Sequence, residues 1–214
     1  MKITRDEKHV YTVDGKTWPS VTQVLGTVIN KPHLNAWRER VGKKEANEVR
    51  DQAGAHGTFV HTLASLHAEG EVYIPMGEDR SEAAELQVNA FREWWDAYVD
   101  ELIGTEIYVA HPSYHYVGAL DFLVRMKSDK RITLVDIKSG RSVGPEARAQ
   151  TAAYREAALL TVLADLGEKS CRRGVLHLPS GEDAGKVKFL PHDKHQEDLQ
   201  AFLSALYLYR WMKG

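Results

Sequence analysis

A single cysteine, Cys171, stands among 214 residues. It excludes an internal disulfide and any four-cysteine metal or iron–sulfur cluster built by the chain alone. No apolar run approaches the length of a membrane span. Neither sign of charge dominates: Lys and Arg total 28 against 30 Asp and Glu, a net charge of −2. A wholly basic nucleic-acid binder is thereby excluded, and any such site must be a local patch. There is no internal repeat and no low-complexity tract. Met1 to Val10 carries Asp6 and Glu7 and is neither an apolar signal nor an acid-free transit peptide. What is present suits a folded body, with 43% hydrophobic and 27% charged residues. A reducing cytoplasm is the expected compartment.

The first half reads as helical. Ser20 and Gln23 have capping-box spacing before an apolar turn. Leu34 opens a charged helix to about Asp51, and a second runs from about Ala55 to Ala68. The stretch from Glu71 to Asp79, with Pro75 and Gly77, reads as a loop. Leu86, Phe91, Trp94, Tyr98 and Leu102 recur at helical spacing, closed by Gly104. The period then changes. Strands are expected over 106–110, 117–126 and 131–138, and again over 173–178 and 186–190. Helices are expected from Glu146 to about Leu166 and from His195 to Met212. The fold class is therefore α/β: a mixed β-sheet core (about 104–214) flanked by helices, with a helical N-terminal half (about 1–103), all in one domain. A strand–helix–strand crossover after Asp136 makes part of the sheet parallel.

The chemistry concentrates at one hairpin. With its turn centred between Ser128 and Asp129, Asp121 falls opposite Asp136 on one face. Lys138, two residues on, shares that face. Two facing carboxylates repel unless a cation lies between them, and hard oxygen ligands suit Mg²⁺ or Mn²⁺. A lone Asp-x-Lys is ordinarily a cross-strand salt bridge; the hairpin register makes it a candidate site. Gln150 and Tyr154 lie one helical turn apart on the next helix, where packing roles are the plain alternative. His61 stands on a helix side with the small residues Gly57, Ala64, Ser65 and Ala68, so another element can approach it. Glu106 reads either as an edge-strand charge or as part of the site. His111, His115 and His177 remain open as ligands.

In that order the motifs Gly118-Ala119-Leu120-Asp121, Asp136-Ile137-Lys138-Ser139-Gly140 and Gln150-Thr151-Ala152-Ala153-Tyr154 resemble the RecB-type branch of the PD-(D/E)XK nucleases. Gly57 to His61 matches that branch's upstream G-x-x-x-H. Trp18-Pro19-Ser20-Val21-Thr22, Leu34-Asn35-Ala36-Trp37 and Arg40-Val41-Gly42 resemble the mitochondrial genome maintenance exonuclease and its phage relatives. The likeness spans roughly residues 17 to 160. It implies a Mg²⁺- or Mn²⁺-dependent deoxyribonuclease, most simply a single-strand exonuclease that needs a free end, in bacterial or phage-infected cytoplasm and serving DNA repair or recombination. His61, Asp121, Asp136 and the Ile137 carbonyl would bind metal, Lys138 would act on the attacking water, and Gln150 and Tyr154 would position it. The implied partners are DNA with single-stranded ends and a recombination or replication protein, with no membrane and no iron–sulfur cluster. Ser20 and Thr22 are candidates for a backbone phosphate of the substrate, against a plain capping role for Ser20. Arg38, Arg40, Lys43, Lys44 and Arg50 are further phosphate candidates, or a solvated helix face. The chain departs from the branch at Leu120, where proline is common. Ala64 and Ser65 stand where an acidic residue often follows the histidine, which removes a ligand that a second ion would use. The alternatives are a structure-selective endonuclease of the same fold and a non-catalytic DNA-binding subunit with a degenerate core.

Overall fold

A computed structural model describes residues 1–71 and 81–214, apart from the side chain of His33. The loop expected over 71–79 lies outside the described residues except for Glu71. The centre is a five-stranded sheet in the order β4 (Val99–His111), β5 (Tyr116–Met126), β6 (Ile132–Lys138), β7 (Arg172–His177) and β8 (Lys188–Pro191). β6 and β7 are parallel and the other neighbours antiparallel. The mixed sheet is thus as expected, because the long helix after β6 returns the chain in the same direction.

Each face of the sheet is covered by helices. On one face α1 (Val21–Val28), α5 (Glu146–Leu159) and α7 (His195–Lys213) bury Val24, Leu123, Leu134, Ala153 and Phe202 together. On the other, α3 (Lys43–Ala68) and α4 (Glu82–Tyr98) bury Val60, Leu63, Phe91 and Trp94 against Phe122, Val135 and Ile137. α2 (Pro32–Val41) joins α1 to α3, and Gly42, with φ of 88°, turns the chain between α2 and α3. That conformation costs glycine little and other residues much. α6 (Val162–Asp165) is a short turn after α5.

Several boundaries differ from the sequence reading. The N-terminal part opens with a small antiparallel sheet of β1 (Ile3–Arg5), β2 (Tyr11–Val13) and β3 (Lys16–Trp18). Three-residue strands are too short to show a period, which is why the helical N-terminal half expected over about 1–103 did not include them. The sheet packs Tyr11 and Val13 against Ala110 and Val117. α4 ends at Tyr98 and the chain passes directly into β4, so Leu102 and Gly104 belong to a strand. The buried stripe of α4 is Ala84, Gln87, Val88, Ala90, Phe91 and Trp94, whereas Leu86 and Tyr98 are exposed. The helices expected over 34–51 and 55–68 are divided instead at Gly42. The helix expected from Glu146 to Leu166 breaks after Leu159.

The hairpin register is the one expected, with Phe122 opposite Val135 and Leu123 opposite Leu134. The ladder stops one pair short of the two aspartates.

Candidate active site

At the point where the ladder stops, the Asp121 carboxylate takes the place of a backbone acceptor. Its Oδ2 accepts the Ile137 N–H at 2.6 Å. Its Oδ1 lies 3.4 Å from His61 Nδ1, with 21% of the Asp121 side chain and 31% of His61 still exposed. α3 passes close to the sheet at Gly57, where a β-carbon would sit 3.4 Å from Ser139 Oγ, in ordinary contact. His61 therefore reaches the sheet one helical turn later.

Asp136 is nearly sealed, at 2% side-chain exposure. Lys138 Nζ is 2.7 Å from its Oδ2. The contact is a charge pair off the hydrogen-bonding direction, so Oδ2 is buried without an aligned hydrogen bond. Oδ1 accepts from Gln150 Nε2 at 3.0 Å, and the same nitrogen is 3.1 Å from the Tyr154 hydroxyl. Gly118 is needed for this: a β-carbon there would overlap the Tyr154 ring. The hairpin register set Asp121, Asp136 and Lys138 on one face, and the motif resemblance added His61, Gln150 and Tyr154; the structure brings these six side chains together.

The electrostatics divide the two carboxylates. Burial raises the Asp136 pKa, and the Asp121 charge adds to this against Lys138, leaving it above the ordinary carboxylate value. Burial also raises Asp121, but His61, Lys138 and the Ile137 N–H outweigh it and hold that group below. For His61, burial favours the neutral ring, yet the Asp121 carboxylate lifts its pKa above the ordinary value. Burial opposes the Lys138 charge, and the two carboxylates overcome it. Tyr154 is pushed well up by burial and by both aspartates, so its hydroxyl stays protonated.

A hard divalent ion fits this donor set by its chemistry. One buried carboxylate oxygen lacks an aligned hydrogen bond, and a carboxylate–imidazole pair stands about as far apart as two neighbouring ligands of a small ion. Among the described residues no group of three His, Cys, Asp or Glu is drawn tightly enough to hold a metal. Asp136 is closed by Lys138, and that pair would have to yield.

No protein-family model and no curated protein matches this sequence. Solved structures do overlay on it. A Eubacterium rectale protein assigned provisionally as an exonuclease shares 13% identity with a TM-score of 0.49, over 76% of this chain and 68% of its own. An alkaline exonuclease from Laribacter hongkongensis shares 17% identity with a TM-score of 0.33, over 71% of this chain and 81% of its own. Overlays of that extent leave the activity of this chain to be argued from its own site.

Other sequence candidates fall elsewhere. Glu106 lies across β4 from Asp121, but its backbone is left-handed (φ 47°), it is exposed, and its charge bears on Tyr11. Ser20 caps α1, its Oγ accepting the Gln23 N–H at 3.1 Å and lying 3.2 Å from Thr22 Oγ1. Thr22 is exposed. His177 pairs with the Gly140 carbonyl at 2.9 Å, His115 packs on Trp18, and His111 accepts the Tyr114 N–H. Arg38 and Arg50 line a cavity of about 1,420 Å³ between α1, α2 and α3, with Lys31 and Arg141. Lys31 also pairs with Glu146, whose charge is felt by Lys138, so the cavity adjoins the acidic site.

Two residues were missed. Gln87 on α4 is fully buried, and its amide donates to the carbonyls of Ser139 at 2.9 Å and Leu178 at 2.6 Å. Its oxygen is 2.6 Å from His56 Nε2. The last backbone link between β6 and β7 is Leu178 N–H to the Lys138 carbonyl. Gln87 extends that ladder by one rung and fixes the chain next to Lys138. The signal was available: a glutamine at a core position of an otherwise apolar helical stripe.

Proposed function

We propose that this chain is a divalent-metal-dependent deoxyribonuclease that degrades single-stranded DNA from a free end. The reading is carried by one observation. Asp121, Asp136, Lys138 and His61 meet at the C-terminal end of β6, where an open α/β sheet places its ligands, beside a cavity lined by Lys31, Arg38, Arg50 and Arg141. His61, Asp121, Asp136 and the Ile137 carbonyl would hold Mg²⁺ or Mn²⁺. Such an ion supplies charge stabilisation to a phosphodiester under attack.

The chain's own groups do the rest. Lys138 presents a fixed ammonium beside Asp136 and stabilises negative charge growing on the phosphorus oxygens. Gln150 holds the Asp136 carboxylate by one oxygen, leaving the other toward Lys138. Tyr154 stays neutral, and its hydroxyl oxygen accepts from Gln150 and buttresses it. The arginines and Lys31 offer phosphate contacts along the cavity, and Trp37 on its wall offers a stacking face for a base. Ser20 and Thr22 are proposed at its approach, and Glu106 as an outlying substrate contact.

End-labelled linear and closed circular single strands, incubated together with Mn²⁺ and separately with EDTA, test this reading. Loss of the linear form alone, abolished by EDTA, is expected. Equal loss of both strands favours the endonuclease alternative, and binding with no loss favours the non-catalytic one. Affinity should fall as salt rises.

A further inference from the structure

At the far end of β7 lies a recess of about 420 Å³ that the acidic site does not use. Lys138 pairs with His177 at one end of that strand, and Thr133 with Arg172 at the other. Five residues of strand separate the two sites by roughly 16 Å. Arg155, Arg172, Arg173, His192 and His195 line the recess, and Asp193 is the carboxylate on its wall.

Two buried nitrogens there have no hydrogen-bond partner among the described residues. Arg173 is 3% exposed. Its Nη1 donates to the Arg148 carbonyl and Thr151 Oγ1, and its Nη2 to Asp198 at 2.6 Å. Its Nε is buried with no partner, and so is His195 Nδ1, while His195 Nε2 faces Glu156 at 2.9 Å. Arg155 donates Nε to the Cys171 carbonyl and makes no ion pair among the described residues. Arg172 is paired with Asp129 and remains half exposed. Asp198 is already shared between Arg148 and Arg173. His195 is the first residue of α7, and Lys194 before it makes no side-chain cap, so the positive end of that helix also points here. Burial and then Arg173 hold His192 down at about 4, and burial, with the arginines, holds His195 below its ordinary value against Glu156.

A buried guanidinium nitrogen without an acceptor is costly, and a ligand oxygen would relieve it. We propose that this recess binds a phosphate dianion, free or carried by a mononucleotide, between Arg155, Arg173 Nε and the start of α7. The inference stands apart from the nuclease reading, since none of these residues belongs to the acidic site.

Calorimetric titration of the full chain in EDTA, with sodium phosphate at constant ionic strength, tests the site. A deoxynucleoside 5′-monophosphate forms a second arm, and the corresponding nucleoside a control. Saturable phosphate binding is expected, weakened about tenfold or more in Arg155→Gln and kept in Asp136→Asn. Tighter binding of the monophosphate by tenfold assigns a nucleotide; equal binding assigns free phosphate. The Arg173 Nε–H resonance of the unaltered protein should shift with phosphate, a readout that survives if Arg155→Gln fails to fold. Absence of heat together with an unmoved Arg173 signal would overturn the proposal, as would equal affinity in a folded Arg155→Gln.

Discussion

Replacing Gln87 by Met keeps the volume of a fully buried side chain and removes its amide. Three groups lose a partner at once: the carbonyls of Ser139 and Leu178 and the His56 ring nitrogen. An orphaned buried polar group costs about 1–3 kcal/mol, so the loss should reach roughly 3–6 kcal/mol, the part-exposed His56 contributing least. In a chain of this length that lowers the thermal midpoint by roughly 10–20 °C. Urea denaturation gives the free energy, and a cycle with His56→Ala isolates their contact, which should couple the two by more than about 0.5 kcal/mol. Because Ser139 follows Lys138 directly, folded Gln87→Met should also cleave DNA more slowly at saturating substrate. A loss below about 1 kcal/mol would refute the reasoning, since it would mean that water replaces the amide at no cost.

Gly118→Ala should destabilise by about 1–3 kcal/mol, because the new methyl overlaps the Tyr154 ring and forces it away from Gln150; Tyr154→Leu in the same background should recover part of the loss in thermal melts. Asp136→Asn should reduce cleavage at least about 100-fold without lowering the thermal midpoint, since burial and Asp121 already disfavour the Asp136 charge. A fall of midpoint in step with activity would show that Lys138 needs that charge to remain folded. His192 moves from 6.5 to about 4 on burial beside Arg173. The unfolded chain therefore binds the extra proton between those values, and stability is lost as pH falls from about 6.5 to 4. His192→Gln should flatten that part of a pH series of denaturation curves; an unchanged slope would place the titration elsewhere.

The hairpin was legible because β5 and β6 carry their period openly, and the register of β5 on β6 followed from one polar turn. Of the six residues that meet at its end, register gave Asp121, Asp136 and Lys138, and the motif resemblance supplied His61, Gln150 and Tyr154. The small N-terminal sheet was hidden by the shortness of its strands. The direct passage from α4 to β4 was hidden by apolar residues that serve either period equally, as Leu102 does. Gln87 was overlooked because sequence arithmetic sought charged pairs, whereas this amide acts on backbone carbonyls contributed by two distant strands.

Along α3, every side chain from Glu48 to Ala55 is exposed, Val49, Arg50 and Ala53 among them only lining the open cavity, while Val60, Leu63 and Ala64 are embedded. Such a stretch is a strut held by its ends, and Gly54 weakens it further by about 1 kcal/mol relative to alanine. Its amides should exchange with solvent far sooner than those two turns later on the same helix. Substitutions there are free of the packing that disciplines the sheet, so the shape of the approach to Asp121 can drift or be re-engineered while the folding of the core is inherited unchanged.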